Sequence, residues 1–293
     1  MKINKKFKAV FTTFFLLISL TLTVDAQVPV VVTSHWLKEN LGKPDLVILH
    51  VSTVIKDYHN GHIPGALFLW PGSLSVSNEK ESTVPADLKQ IRKVLENLGV
   101  SNRSHIVLCG IYGNLTPVCR VFVTLEHIGL ADRISILEGG FDEWKNSGGE
   151  ASVGSVSPRK GKLTITVQNN LVDADWVASN LSNKDYLVID ARPKQYYNGE
   201  TGVPRQGHIP GAKSLPSTDC YDGKTFQFYP ESRLAEIFAS LEIPEGAIPV
   251  FHCFIGNSAS VNYVAARIAG YKPLLFDGSM EAWGSRFDLP VEK

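Results

Sequence analysis

The hexapeptide Gly61-His62-Ile63-Pro64-Gly65-Ala66 is written a second time in this chain, as Gly207-His208-Ile209-Pro210-Gly211-Ala212. Upstream of each copy lies an apolar tetrad, Leu46-Val47-Ile48-Leu49 before the first and Leu187-Val188-Ile189-Asp190 before the second. Further upstream, Trp36-Leu37 with Leu41 recurs as Trp176-Val177 with Leu181. Downstream, Gly139-Gly140-Phe141-Asp142-Glu143-Trp144 recurs as Gly278-Ser279-Met280-Glu281-Ala282-Trp283. The blocks keep their order and their offset drifts by only a few residues, as loop insertions in a duplicated unit produce. The chain reads as a tandem duplication.

Each half repeats one alternation. A short helix (34–41 and 173–181) precedes a buried strand (46–51 and 187–190), and the hexapeptide turn leads into a second short strand. An amphipathic helix follows (85–98 and 230–241), then an apolar strand (106–109 and 248–251), a loop, a long helix, another strand and the Gly/Trp block. Short buried strands alternating with helices predict an α/β fold of two tandem domains, each a mostly parallel sheet covered by helices on both faces. The domains are expected at 28–145 and 163–293. Between them, 146–162 is rich in Gly, Ser and Lys and reads as a linker.

Lys+Arg and Asp+Glu both total 29 in 293 residues, so the net charge offers nothing to attract nucleic acid or an acidic membrane. Residues 1–26 stand apart. Lys2, Lys5, Lys6 and Lys8 precede an uncharged apolar run over 9–24, and Val24-Asp25-Ala26 offers small residues at a cleavage site. That is the pattern of a secretory signal peptide, which predicts a periplasmic or secreted protein, free of the membrane after cleavage; a monomer is expected. Export permits disulfides among Cys109, Cys119, Cys220 and Cys253. Their spacing fits no zinc pattern, and no metal or cofactor is expected. Cys119 falls within a helical stretch and reads as a core residue; Cys220 lies in the loop 217–223, where no pattern pairs it with another thiol.

Cys253 is different. It follows the apolar strand and opens the turn Cys253-Phe254-Ile255-Gly256-Asn257-Ser258-Ala259-Ser260, after which helical spacing runs over 261–269 and stops at Gly270. A cysteine between a strand end and a helix start, trailed by small residues, meets several backbone N–H groups and a helix N-terminus, which together stabilise an anion on sulfur. Cys253 is therefore the candidate nucleophile. Matching Gly113-Asn114 to Gly256-Asn257 puts Gly110 opposite Cys253, Cys109 opposite His252 and Pro117 opposite Ser260, with Leu49 opposite Asp190. Strand alternation then points the Cys109 thiol, like the His252 ring, away from the loop. The first half reads as non-catalytic.

The doubled hexapeptide, the strand–Cys–loop–helix and the Gly/Trp end-block resemble the rhodanese family, and more closely its tandem-domain thiosulfate and 3-mercaptopyruvate sulfurtransferases. The resemblance spans about 28–293. It implies a Cys253 thiolate that takes sulfane sulfur from a donor as a persulfide and passes it to cyanide or a thiol, with the backbone of Phe254 to Ala259 cradling the charge. Thiosulfate-preferring members carry Arg and Lys just after the cysteine and mercaptopyruvate-preferring members Gly and Ser; here Phe254 and Ile255 stand there. The Asp-x-Arg strand end is matched by Asp190-Ala191-Arg192, but the substrate-contacting Arg expected four residues later is Tyr196. The candidate substrate-binding set is thus Phe254, Ile255, Gly256, Asn257, Ser258, Ala259, Arg192 and Tyr196. Thiosulfate, a mercaptopyruvate-like thiol acid and a less polar persulfide all remain open as donors. Arg192 can touch substrate or pair with Asp190, and the adjacent acid favours pairing. His62 and His208 occur in both halves and read as turn constraints bonded to backbone; Trp144 and Trp283 read as core caps. A phosphatase of this loop type needs an Arg where Ala259 stands, which excludes that chemistry. A persulfide carrier or redox-binding module is the non-enzymatic rival.

Overall fold

The computed structural model describes residues 28–293 apart from 80, 112 and 202–204; the expected signal peptide lies outside the described residues. The first half contains β1 (Val31–Val32), α1 (Ser34–Asn40), β2 (Leu46–Val51), α2 (Ile55–Asn60), β3 (Leu67–Leu69), a hairpin of β4 (Ser75–Val76) and β5 (Val84–Pro85), α3 (Leu88–Asn97), β6 (His105–Cys109), α4 (Thr116–Leu125), β7 (Ile134–Leu137) and α5 (Gly140–Asn146). The second contains β8 (Leu171–Val172), α6 (Ala174–Asn180), β9 (Tyr186–Asp190), α7 (Lys194–Tyr197), β10 (Lys213–Ser214), α8 (Glu231–Ala239), β11 (Ile248–His252), α9 (Ala259–Ile268), β12 (Leu274–Phe276) and α10 (Ser279–Ser285). The sheets run β1-β7-β6-β2-β3 and β8-β12-β11-β9-β10. Every ladder in them is parallel. The two orders are the same, as the duplication requires.

Local chemistry starts the helices where the repeat predicts. Thr33 caps α1 and Asp173 caps α6, each accepting from the N–H three residues on (Trp36 and Trp176). In both hexapeptide turns the histidine is tied to backbone: His62 Nδ1 lies 2.9 Å from the Tyr58 carbonyl and His208 Nδ1 2.8 Å from that of Tyr197. Each imidazole stacks on that same tyrosine, with centroids 3.8 Å apart in both. The end-block tryptophans close the cores. Trp144 and Trp283 are buried, and their indole N–H groups donate to the carbonyls of Glu150 and Pro290. Because Trp144 reaches forward to Glu150, and Ser152 pairs with His62, the start of the 146–162 segment completes the first core. The segment then stays against the same half, where Gly161 N–H donates to the Glu96 carbonyl and Asn102 N–H to that of Lys162.

One correction concerns register. Across β2 and β6, His50 faces Cys109; across β9 and β11, Asp190 faces His252. His50, and not Leu49, occupies the Asp190 position. Strand β9 starts at Tyr186, so the apolar tetrads are offset by one, and a uniform run of Leu, Val and Ile holds no landmark to reveal a one-residue slip.

The halves pack through equivalent helices. In α4 every residue from Val118 to Leu125 is buried, and in α9 every residue from Ala259 to Ala266. A helix covered all round has its own sheet on one side and another partner on the other; here α4 and α9 are each other's partner. Arg267 of α9 also pairs with Glu126, just past α4, at 3.2 Å.

Candidate active site

Strand β11 delivers Cys253 to the carboxyl edge of the second sheet, the edge at which open parallel sheets place ligands. The residue is 1% exposed. Its N–H donates to Ser279 Oγ at 3.0 Å, and its carbonyl accepts from Met280 N–H at 3.0 Å. The Phe254 carbonyl accepts from Glu281 N–H at 2.9 Å. In the first half Phe141 N–H donates to the Gly110 carbonyl at 3.0 Å, so Gly110 is the structural counterpart of Cys253, as the repeat predicts.

The loop then turns through Gly256, whose φ of +78° suits glycine. A Cβ there would stand 2.6 Å from the Asp277 carbonyl oxygen. Ser260 Oγ fastens the turn by donating to the Gly256 carbonyl at 2.9 Å. Among the described residues, the N–H groups of Phe254, Ile255, Gly256, Asn257 and Ser258 donate to no protein acceptor. Ser258 precedes α9 without a side-chain capping hydrogen bond, and among the described residues the Ala259 N–H also donates to no protein acceptor, while those of Ser260 and Val261 go to the carbonyls of Asn257 and Ser258. A turn of uncommitted amides is a site for an anion.

Beside the loop, Arg192 is committed to structure. It is 2% exposed, its Nε and Nη2 fork onto the Asp190 carboxylate at 3.0 and 2.6 Å, and Nη2 also donates to the Gly207 carbonyl. Burial alone would raise the Asp190 pKa, but His252 and the Arg192 fork reverse that and hold the carboxyl below its usual range. His252, fully buried with Nε2 3.8 Å from Asp190, is held below the usual histidine pKa by burial, with Asp190 opposing. Tyr196 and Phe254 stand edge to face with centroids 4.7 Å apart, and the Arg192 guanidinium lies 5.6 Å from the Phe254 ring. Phe254 and Tyr196, two of the three positions at which a cation was expected for a thiosulfate-preferring member, thus form one aromatic wall.

The remaining cysteines are free and buried. Burial pushes the Cys220 thiol up to about 12, and raises those of Cys109 and Cys119 further.

Three groups at the site were not foreseen. Ser279 holds the Cys253 N–H from a φ of +51°, at the place where the first half has Gly140 with φ +60°. A serine kept in a left-handed position costs strain that its hydroxyl contact offsets; the Gly140/Ser279 mismatch in the repeat is the signal that marks it. Arg120 of α4 pairs with Asp277 beneath Gly256, and Thr83, ahead of β5, donates from Oγ1 to the Ile255 carbonyl at 2.6 Å. Both come from the first half, and no local pattern announces them.

Comparison with known proteins agrees with this architecture. The profile of the rhodanese-like domain matches twice, over residues 33–147 and 173–286. The chain is 28% identical over 280 residues to the 3-mercaptopyruvate sulfurtransferase of Escherichia coli K12, an alignment covering 89% of this chain and 97% of that one. It is equally 28% identical, over 289 residues, to the sulfur carrier protein TtuD of Thermus thermophilus, covering 92% and 98%. The crystal structure of SseA, a 3-mercaptopyruvate sulfotransferase from Escherichia coli, superposes with a TM-score of 0.75 at 25% identity, covering 86% and 99%. With two profile matches, shared sheet order and a repeat legible at every block, the chain belongs to the rhodanese-like family, as a tandem-domain member.

Proposed function

We propose that this protein is a sulfurtransferase that moves a sulfane sulfur from a small donor such as thiosulfate to a thiophilic acceptor, cyanide or a thiol, through a persulfide on Cys253. The supporting observation is the contrast between the halves: Cys253 opens a turn of unspent amides, and its counterpart Gly110 has no nucleophile to offer. In the first step the Cys253 thiolate attacks the outer sulfur of thiosulfate, the S–S bond breaks, and sulfite departs with the electron pair. In the second, the acceptor attacks the outer sulfur of the persulfide and Cys253 leaves as thiolate. The loop amides carry the negative charge on sulfur through both steps, so no side-chain base, metal or cofactor enters the scheme. The composition of residues 1–26 supports a periplasmic or secreted location, and we expect a monomer.

A second reading is 3-mercaptopyruvate as donor, with pyruvate as the product left behind. It is favoured by the commitment of Arg192 to Asp190 and by Tyr196 in place of a cation. A dianion needs more positive charge than this wall offers, whereas a thiol acid presents a single carboxylate. The deciding assay follows thiocyanate from thiosulfate plus cyanide, and pyruvate from 3-mercaptopyruvate plus a thiol. Turnover with either donor supports an enzyme and names its substrate. Sulfur loading without turnover would instead support a carrier, as the name of the Thermus relative suggests for that protein.

A further inference from the structure

The Cys253 loop is held from outside its own domain. Thr83 Oγ1 donates to the Ile255 carbonyl at 2.6 Å, directly on the loop. Its neighbour Ser82 donates its N–H, at 2.6 Å, and its hydroxyl to the Glu281 carboxylate. Glu281 is the residue whose own N–H holds the Phe254 carbonyl. Glu81, in the same hairpin turn, is packed so closely on Gly278 that a Cβ there would collide with its carboxylate. From the other side, the Arg120 guanidinium pairs with Asp277, and the Gly256 Cα lies against that pair: a Cβ would meet Asp277 Oδ1 at 2.9 Å and Arg120 Nη1 at 3.1 Å. Arg120 is 7% exposed and Asp277 also 7%. A buried charge pair is an expensive way to join two domains that already share an apolar helix interface. Its place beneath the one left-handed residue of the loop gives it a local role.

We propose that Thr83 and Arg120 are positioning residues for the Cys253 loop, so that the half without a nucleophile sets the geometry of the half that has one. Each acts through the loop backbone and not on the donor. Thr83 fixes the carbonyl of Ile255, which orients the peptide whose N–H belongs to Gly256; Arg120 with Asp277 supports the reversal at Gly256 from below. Together they aim the amides that face the sulfur. The proposal rests on the Cys253 persulfide reading for its effect on sulfur transfer, but its effect on thiol reactivity is independent of any donor.

The test uses the chain with Thr83→Val, Thr83→Ser and the paired change Arg120→Met with Asp277→Asn, which removes the ion pair without stranding a buried carboxylate. Two rates are read on each: alkylation of Cys253 by iodoacetamide across a pH series, and single-turnover sulfur loading by intact mass. Thr83→Val should slow both by about tenfold, the loss of one hydrogen bond to a loop that must be held in register. Thr83→Ser, which keeps the donor, should keep the wild-type rates, and the melting temperature of both should stay within a degree or two of wild type. The paired variant should slow both rates comparably; should it fail to fold, the Thr83 series stands on its own. Wild-type rates in Thr83→Val, or equal slowing in Thr83→Ser, would overturn the proposal. If wild type accepts sulfur from no donor while alkylation still distinguishes Val from Ser, the sulfur-transfer reading has failed and the positioning role has not.

Discussion

Cys253 and Gly110 occupy equivalent places in two copies of one fold, and the difference between the halves begins with that side chain. At this scale the surrounding residues are constrained in ways that single substitutions expose. Gly256→Ala meets two penalties at once, a left-handed φ and a Cβ 2.6 Å from the Asp277 carbonyl oxygen. A strained backbone position costs about 1–3 kcal/mol, and because the loop gives way before the sheets do, the change should cut sulfur loading at least about tenfold while the far-ultraviolet circular dichroism stays native. Tyr196→Arg tests the donor question. A cation beside the loop should lower KM for thiosulfate by about tenfold, the worth of one charge-assisted contact, and the gain should shrink as salt is added. An unchanged KM would remove Tyr196 from the donor's path. Cys253 stands out in the sequence because it breaks the repeat, with Gly110 opposite it; Gly256 is legible because its Gly-Asn pair recurs as Gly113-Asn114, and the absent cations only against the family the chain resembles. The serine at 279 opposite Gly140 is legible by the same comparison of the halves.

Among the elements, the longer strands and helices were legible to within about three residues, since apolar runs and helical spacing are local signals, but Pro85, expected in a helix, lies in β5, and β1, β8, the β4–β5 hairpin, α2 and α7 are too short to carry such a signal. Strand β2 spans the expected 46–51, and α9 begins two residues earlier than its apolar spacing suggested. Register was not legible, and the slip that hid His50 has a consequence. His50 is fully buried between Tyr58 and Phe141, and among the described residues neither ring nitrogen has a hydrogen-bond partner. Burial, with a smaller contribution from His62 and against that of Asp57, lowers its pKa to about 4. The folded state then holds this proton less tightly than the unfolded chain, so stability is full above about pH 6.5 and falls as pH drops toward 4, by up to about 3 kcal/mol. His252 is depressed in the same direction and adds to the acid limb. His50→Leu should remove the His50 share: chemical denaturation should find the variant gaining on wild type between pH 6.5 and 4.5, with the smallest difference at pH 8. An equal difference at all pH values would show that the imidazole is not titrating on unfolding.

At the scale of the whole molecule, duplication and fold class were written in the sequence, and the meeting of the halves was not. Thr83 and Arg120 reach the loop from more than a hundred residues away in the chain, through contacts that exist only once α4 and α9 have packed. Periodicity and spacing report on neighbours in sequence and are silent about such pairs. The account of the molecule nevertheless turns on one atom, the Cys253 sulfur. Its most direct test is intact-mass measurement after incubation with thiosulfate and, separately, with 3-mercaptopyruvate, on wild type, Cys253→Ser and Cys109→Ser. The account predicts one added sulfur on wild type and on Cys109→Ser, discharged by cyanide or thiol, and none on Cys253→Ser; a sulfur that persists on Cys253→Ser would contradict it.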